Sequence, residues 1–88
     1  MKATMELMRQ RLAVLEPVTL DIADDSAKHA GHAGAKSGGG HYRLNIVSSR
    51  FAGLATMARH RLVYDALGSL MRHEIHALSI NAKTPQEL

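Results

Sequence analysis

Apolar and polar positions along the chain divide it into five patterned segments and one unpatterned stretch. Met5, Met8, Leu12 and Leu15 recur at helical spacing, with Lys2, Glu6, Arg9 and Arg11 mostly off that stripe. The spacing predicts a helix over residues 3–15, stopped at Pro17, whose ring cannot continue the hydrogen-bond ladder. From Val18 to Asp24 apolar and polar residues alternate, as in a strand with one buried face. His41 to Ser48 reads as a second strand, with Tyr42, Leu44 and Ile46 on one side. Met57, His60, Val63 or Tyr64, Leu67, and Leu70 or Met71 trace a helical face over residues 56–72. Gly68 weakens that helix by about 1 kcal/mol relative to alanine. Ile75 to Ile80 forms a third, short apolar strand. Thr84-Pro85-Gln86-Glu87 then opens a last helix, with Thr84 as N-cap, proline at the first helical position and Glu87 closing a capping box.

The unpatterned stretch lies between the first two strands. It reads Ala-Lys-His-Ala-Gly-His-Ala-Gly-Ala-Lys-Ser-Gly-Gly-Gly and holds five of the seven glycines. A long loop of this kind inside a small domain is uncommon and often functional. Two strands joined by one loop form an antiparallel pair most simply. A strand–helix–strand unit implies a crossover, so the third strand runs parallel to the second. The expected fold is therefore α+β, in the order helix-strand-strand-helix-strand-helix. Residues 1–88 make a single domain, with a mobile histidine- and glycine-rich loop at 25–40.

Composition narrows the function classes. Eleven Lys and Arg stand against eight Asp and Glu, a formal charge of +3 with no basic run. That permits an acidic protein face or nucleic acid as a partner and requires neither. The chain has no cysteine, which excludes a disulfide scaffold, a Cys-based zinc site and thiol catalysis by this chain alone. No apolar stretch approaches the length of a membrane span, and the first residues lack the apolar core of a signal peptide. The expectation is a cytoplasmic protein with no membrane partner. No nucleophile–base pair is recognisable, and Asp21, Asp24 and Asp25 look like a turn and cap cluster. An enzyme is not expected.

The chemistry-bearing residues are the six histidines. His29, His32 and His41 lie in or beside the glycine-rich loop, and His76 sits in the strand Ile75-His76-Ala77-Leu78-Ser79-Ile80. Imidazole is the commonest metal ligand among side chains. With no thiol of its own, the chain can hold a soft metal centre only through histidine or with thiolates from a partner. The pattern therefore suggests half a metal site. From spacing alone, His76 also fits a partly buried histidine bonded to backbone, and each loop histidine fits a solvated side chain.

Three blocks taken together are more specific: Ser48-Ser49-Arg50-Phe51-Ala52-Gly53-Leu54, then Arg59-His60-Arg61-Leu62-Val63-Tyr64, then Ile75-His76-Ala77-Leu78 followed by Thr84-Pro85-Gln86-Glu87. In this order, over almost the whole chain, they closely resemble the BolA family. The resemblance implies a class II KH-like fold, a three-stranded mixed sheet covered by helices on one face. It implies a monothiol glutaredoxin as partner and a 2Fe-2S cluster at the interface, shared with the glutaredoxin cysteine and a bound glutathione. It assigns to this chain His76 and one loop histidine as iron ligands. Counting from Asp25-Ser26 it points to His29 first, His32 second and His41 third. The isolated chain is then expected to hold no cofactor and to be a monomer or weak homodimer.

Such a site is chemically coherent. Two imidazoles on one iron resemble a Rieske centre and raise the reduction potential relative to an all-thiolate cluster. A ligand on a loop suits a site that assembles and releases its cluster, and a ligand on a strand fixes the geometry. The resemblance also carries a second expectation, a DNA-binding regulator of stress response and cell morphology. Its contacts would be Arg50, Arg59, Arg61 and Lys83, which could equally meet a protein partner. The GXXG clamp of KH domains is missing here, since Gly53 is followed by Leu54-Ala55-Thr56. His60 reads as a helix-packing residue and His73 as solvent-exposed at a helix C-terminus.

Overall fold

The structure, a computed structural model, describes residues 2–25 and 40–88. Helix α1 (Lys2–Leu12) tightens into a 3-10 turn at Ala13–Leu15. The turn ends at Glu16 in the left-handed region (φ 52°), just before Pro17. The one helix expected over residues 3–15 is thus an α-helix with a 3-10 end, the usual tightening where proline blocks a further turn.

Strand β1 (Thr19–Asp24) pairs antiparallel with β2 (Gly40–Val47), and β2 pairs parallel with β3 (Ile75–Lys83), in the sheet order β1-β2-β3. This is the expected mixed sheet. Ile22, Tyr42, Leu44 and Ile46 are buried, while Asp21, Arg43, Asn45, Ser79 and Asn81 are exposed, so one face of the sheet carries the helices and the other is polar. β3 runs three residues further than the apolar run Ile75–Ile80. Its polar extension is held by Asn81 Nδ2 donating to Asn45 Oδ1 at 3.0 Å and by the Ser48 N–H donating to the Lys83 carbonyl at 2.9 Å.

Between β2 and the next helix, a 3-10 turn at Ser49–Phe51 buries Phe51 completely. Ser48 anchors the turn: its Oγ donates to the Leu15 carbonyl at 2.6 Å and accepts from the Arg50 N–H at 3.1 Å. Helix α2 (Thr56–Leu67) follows, then a short α3 (Leu70–His73). The expected single helix over 56–72 breaks at Gly68, where φ is 56° and ψ −129°. Glycine reaches that backbone without steric cost. A Cβ there would also stand 3.3 Å from Arg11 Nη1, which donates to the Leu67 carbonyl at 3.0 Å. Gly68→Ala should therefore lower stability by about 1–3 kcal/mol. Urea unfolding of the variant checks this, and an unchanged midpoint would contradict it.

The packing face of α2 also differs from the expected one. Val63 and Leu67 are buried, with Leu62 and Ala66 partly so, and they meet Met8, Leu12, Leu44, Ile46 and Phe51 in the core. Met57 and Tyr64, expected on the same stripe, are 79% and 42% exposed.

The C-terminal segment is a 3-10 turn (Pro85–Glu87) with the expected capping box at Thr84. Arg59 ties it down. Its Nη1 and Nη2 reach the two Glu87 carboxylate oxygens at 2.6 and 2.8 Å, and its Nε and Nη1 also donate to the Leu54 and Ala82 carbonyls at 2.8 and 3.0 Å. Hydrogen bonds from Arg59, then from the Thr84 backbone, hold the Glu87 carboxyl at about 2 against its ordinary 4.5. Because the folded-state value is depressed, this contribution is complete above about pH 4.5 and fades as pH falls towards 2. Acid titration of thermal stability should show a component in that window that is absent from Glu87→Gln. Parallel curves for the two proteins would refute the clamp.

Candidate functional site

The N-terminal ends of β2 and β3 lie side by side, and the pairing there is irregular. Gly40 pairs with Ile75, but His41 pairs with Ala77, so His76 is an extra residue in the ladder. A bulge of this kind re-aims the side chain it carries. Ile75 stays in the core while His76 turns to solvent beside the half-buried His41. The two rings sit with centroids 5.1 Å apart and planes tilted by 45°.

Several contacts hold this corner in place. The Gly40 N–H donates to the Glu74 carbonyl at 2.9 Å, and the Asp25 N–H to the His41 carbonyl at 2.7 Å. A Cβ at Gly40 would lie 2.6 Å from the Tyr42 ring, so any larger residue there forces the buried ring to move. Tyr42 itself is buried, and burial raises its phenol above the ordinary value. Next to His41, Arg43 reaches Asp25 through Nε (2.6 Å to Oδ2) and Nη2 (3.3 Å to Oδ1), which binds the end of β1 to β2. A shallow cleft of about 340 Å³ opens on the polar sheet face between Asp25, His41, Arg43, Ala77 and Ser79.

The centroid spacing of the histidine pair equals that expected of two imidazoles on one metal ion. Two imidazoles on one tetrahedral ion, with metal–nitrogen bonds of about 2 Å, place their ring centroids about 5 Å apart. Among the described residues no cluster of three or more His, Cys, Asp or Glu side chains is assembled. With no cysteine in the chain, any thiolate ligand would come from another molecule. His29 and His32 lie outside the described residues.

The structure separates the four basic candidates. Arg59 is largely engaged inside the chain, where it clamps the C-terminal turn, and its side chain is 13% exposed. Arg50 pairs with Glu16 at 2.6 Å, both side chains in solvent. Arg61 on α2 and Lys83 at the end of β3 are exposed. His60 is half-buried on α2 rather than packed in the core, and His73 is exposed at the last residue of α3. The bulge and the Asp25–Arg43 pair had no signal in the sequence, because both depend on strand register.

Comparison with known proteins agrees with this architecture. The family model described as BolA-like protein matches residues 12–87. The protein BOLA1, chloroplastic, of Arabidopsis thaliana is 48% identical over 84 residues, covering 91% of this chain and 52% of its own length. The DNA-binding transcriptional regulator BolA of Escherichia coli (strain K12) is 33% identical over 86 residues, covering 92% of this chain and 79% of its own. The solved BolA domain of SufE1 from Arabidopsis thaliana superposes with a TM-score of 0.81 at 43% identity, covering 98% of this chain and 95% of that one. The chain spans about half the length, or less, of several curated relatives that it matches. No helix among the described residues is long and apolar enough to cross a membrane. The matched family model, the identities to named BolA proteins and the shared mixed-sheet fold lead to one conclusion: the chain belongs to the BolA-like protein family.

Proposed function

We propose that this protein is a non-enzymatic adaptor that co-ligates a 2Fe-2S cluster with a monothiol glutaredoxin, in iron–sulfur maturation, trafficking or iron homeostasis. The observation that carries the reading is the His41–His76 pair, with ring centroids 5.1 Å apart at the bulged end of the sheet. In this reading two imidazoles of this chain would hold the cluster together with the partner's cysteine and a bound glutathione. Imidazole nitrogens raise the potential of such a cluster, and they bind only when neutral, so acidification releases the cargo. Occurrence of a BolA domain in a protein named SufE1 fits an iron–sulfur role.

His76 is the strand ligand in this reading. His41 is the second imidazole in this reading, since it stands beside His76 among the described residues; His29 and His32 are the loop alternatives. The test is reconstitution of a monothiol glutaredoxin with glutathione, iron and sulfide, followed by titration with this protein. A visible spectrum that changes and saturates at one-to-one supports the reading, and a spectrum identical to that of glutaredoxin alone overturns it. Parallel titrations with His29→Ala, His32→Ala and His41→Ala identify the second ligand.

A second reading, DNA binding, draws on the Escherichia coli relative's printed name. The structure leaves it Arg61 and Lys83 as exposed cations, with Arg50 and Arg59 matched to carboxylates. Binding of that kind should weaken steeply with salt.

A further inference from the structure

The outward stripe of α2 has no role in the core or at the histidine pair. Met57, His60, Arg61 and Tyr64 follow helical spacing and line one shallow cleft of about 330 Å³. That cleft shares no residue with the one beside His41. A methionine 79% exposed and a tyrosine 42% exposed on one helical face are not needed for folding, since Val63 and Leu67 already supply the buried side. Tyrosine, methionine and arginine are the residue types enriched in protein interfaces.

Charge narrows the choice of occupant. Arg43, Arg50 and Arg59 each have a carboxylate within the chain. Arg61 has none among the described residues, although Asp65 lies one helical turn further on. The stripe thus offers an apolar seat of Met57 and Tyr64 beside an unmatched cation. An occupant that fits brings an apolar side chain and a carboxylate.

We propose that the outward face of α2 is a protein-docking surface for an acidic amphipathic segment, separate from the histidine pair. It goes beyond cluster binding and does not depend on it. An adaptor built this way holds a cluster-sharing partner at the bulged end of the sheet and a second, acidic protein on α2.

The test uses the nitrogen-15-labelled full chain and three probes: a synthetic amphipathic helical peptide with leucine and glutamate, the same peptide with lysine for glutamate, and duplex DNA. The acidic peptide should give saturable amide shifts at Met57, His60, Arg61 and Tyr64 while those of the β2–β3 end stay in place. Arg61→Glu and Met57→Ala, both at exposed positions, should each weaken it about tenfold with unchanged circular dichroism. No saturable shift with the acidic peptide, equal binding of the lysine peptide, or displacement of the acidic peptide by DNA at these residues would each overturn the proposal.

Discussion

Phe51→Ala should cause a large loss of stability in this protein. Among the described residues Phe51 is the largest fully buried side chain, in a core that otherwise holds Tyr42 and leucine, isoleucine, valine and methionine. It sits in the 3-10 turn joining β2 to α2, so its ring meets the sheet and both long helices in one cluster. Truncation leaves a cavity where the turn, pinned by the Ser48 bonds to Leu15 and Arg50, cannot follow inward. The expected loss is about 3–5 kcal/mol. Domains of this size have little in reserve, with totals of about 5–15 kcal/mol across proteins in general. At about 4–8 °C per kcal/mol, the melting midpoint should fall by more than about 12 °C. Phe51→Leu, which keeps most of the volume, should cost well under half as much. A shift of only a degree or two in Phe51→Ala would show that the core closes elsewhere.

The second large effect concerns the histidine pair. His76→Ala should abolish the mixed-ligand cluster formed with a monothiol glutaredoxin, lowering the apparent affinity for the cluster-loaded partner more than about a hundredfold. Outer-sphere changes at metal sites cost about 10–100-fold, and loss of a direct ligand costs more. His41→Ala should do the same. His73→Ala, at an exposed helix end, should leave the titration unchanged. All these variants should keep their fold, since none of the three side chains belongs to the core. A His76→Ala titration that overlays the native one would remove the strand ligand from the account.

The sequence revealed elements more clearly than faces and registers. Alternation in Val18–Asp24 and His41–Ser48 marked two strands to within a residue or so, because polar residues on one side of the sheet leave the pattern clean. The crossover through α2 determined which pair is parallel. The face of α2 is only partly legible: Val63, Leu67 and Leu70 of the expected stripe are buried, while Met57 and Tyr64 are exposed. Met57, His60 and Tyr64 fit helical spacing as well as Val63 and Leu67 do, and periodicity cannot choose between neighbouring stripes that are both apolar. Gly68 was legible as a weak point, but only its positive φ turns weakness into a break. At the site, His76 was singled out by its strand and by the family resemblance. The placement of His41 beside His76 is not legible in the sequence, because spacing from Asp25-Ser26 says nothing about register. The one-residue shift between Gly40 and His41 is a tertiary feature that leaves His76 and Ala77 both opposite His41.

The most direct test of the central claim is magnetic resonance on the reduced, reconstituted heterocomplex in which this chain alone carries nitrogen-15 histidine. The account predicts nitrogen hyperfine couplings to the cluster that change with the isotope and disappear in the His76→Ala, His41→Ala double variant. Couplings that do not respond to labelling of this chain would contradict it, because the iron would then be held without either imidazole.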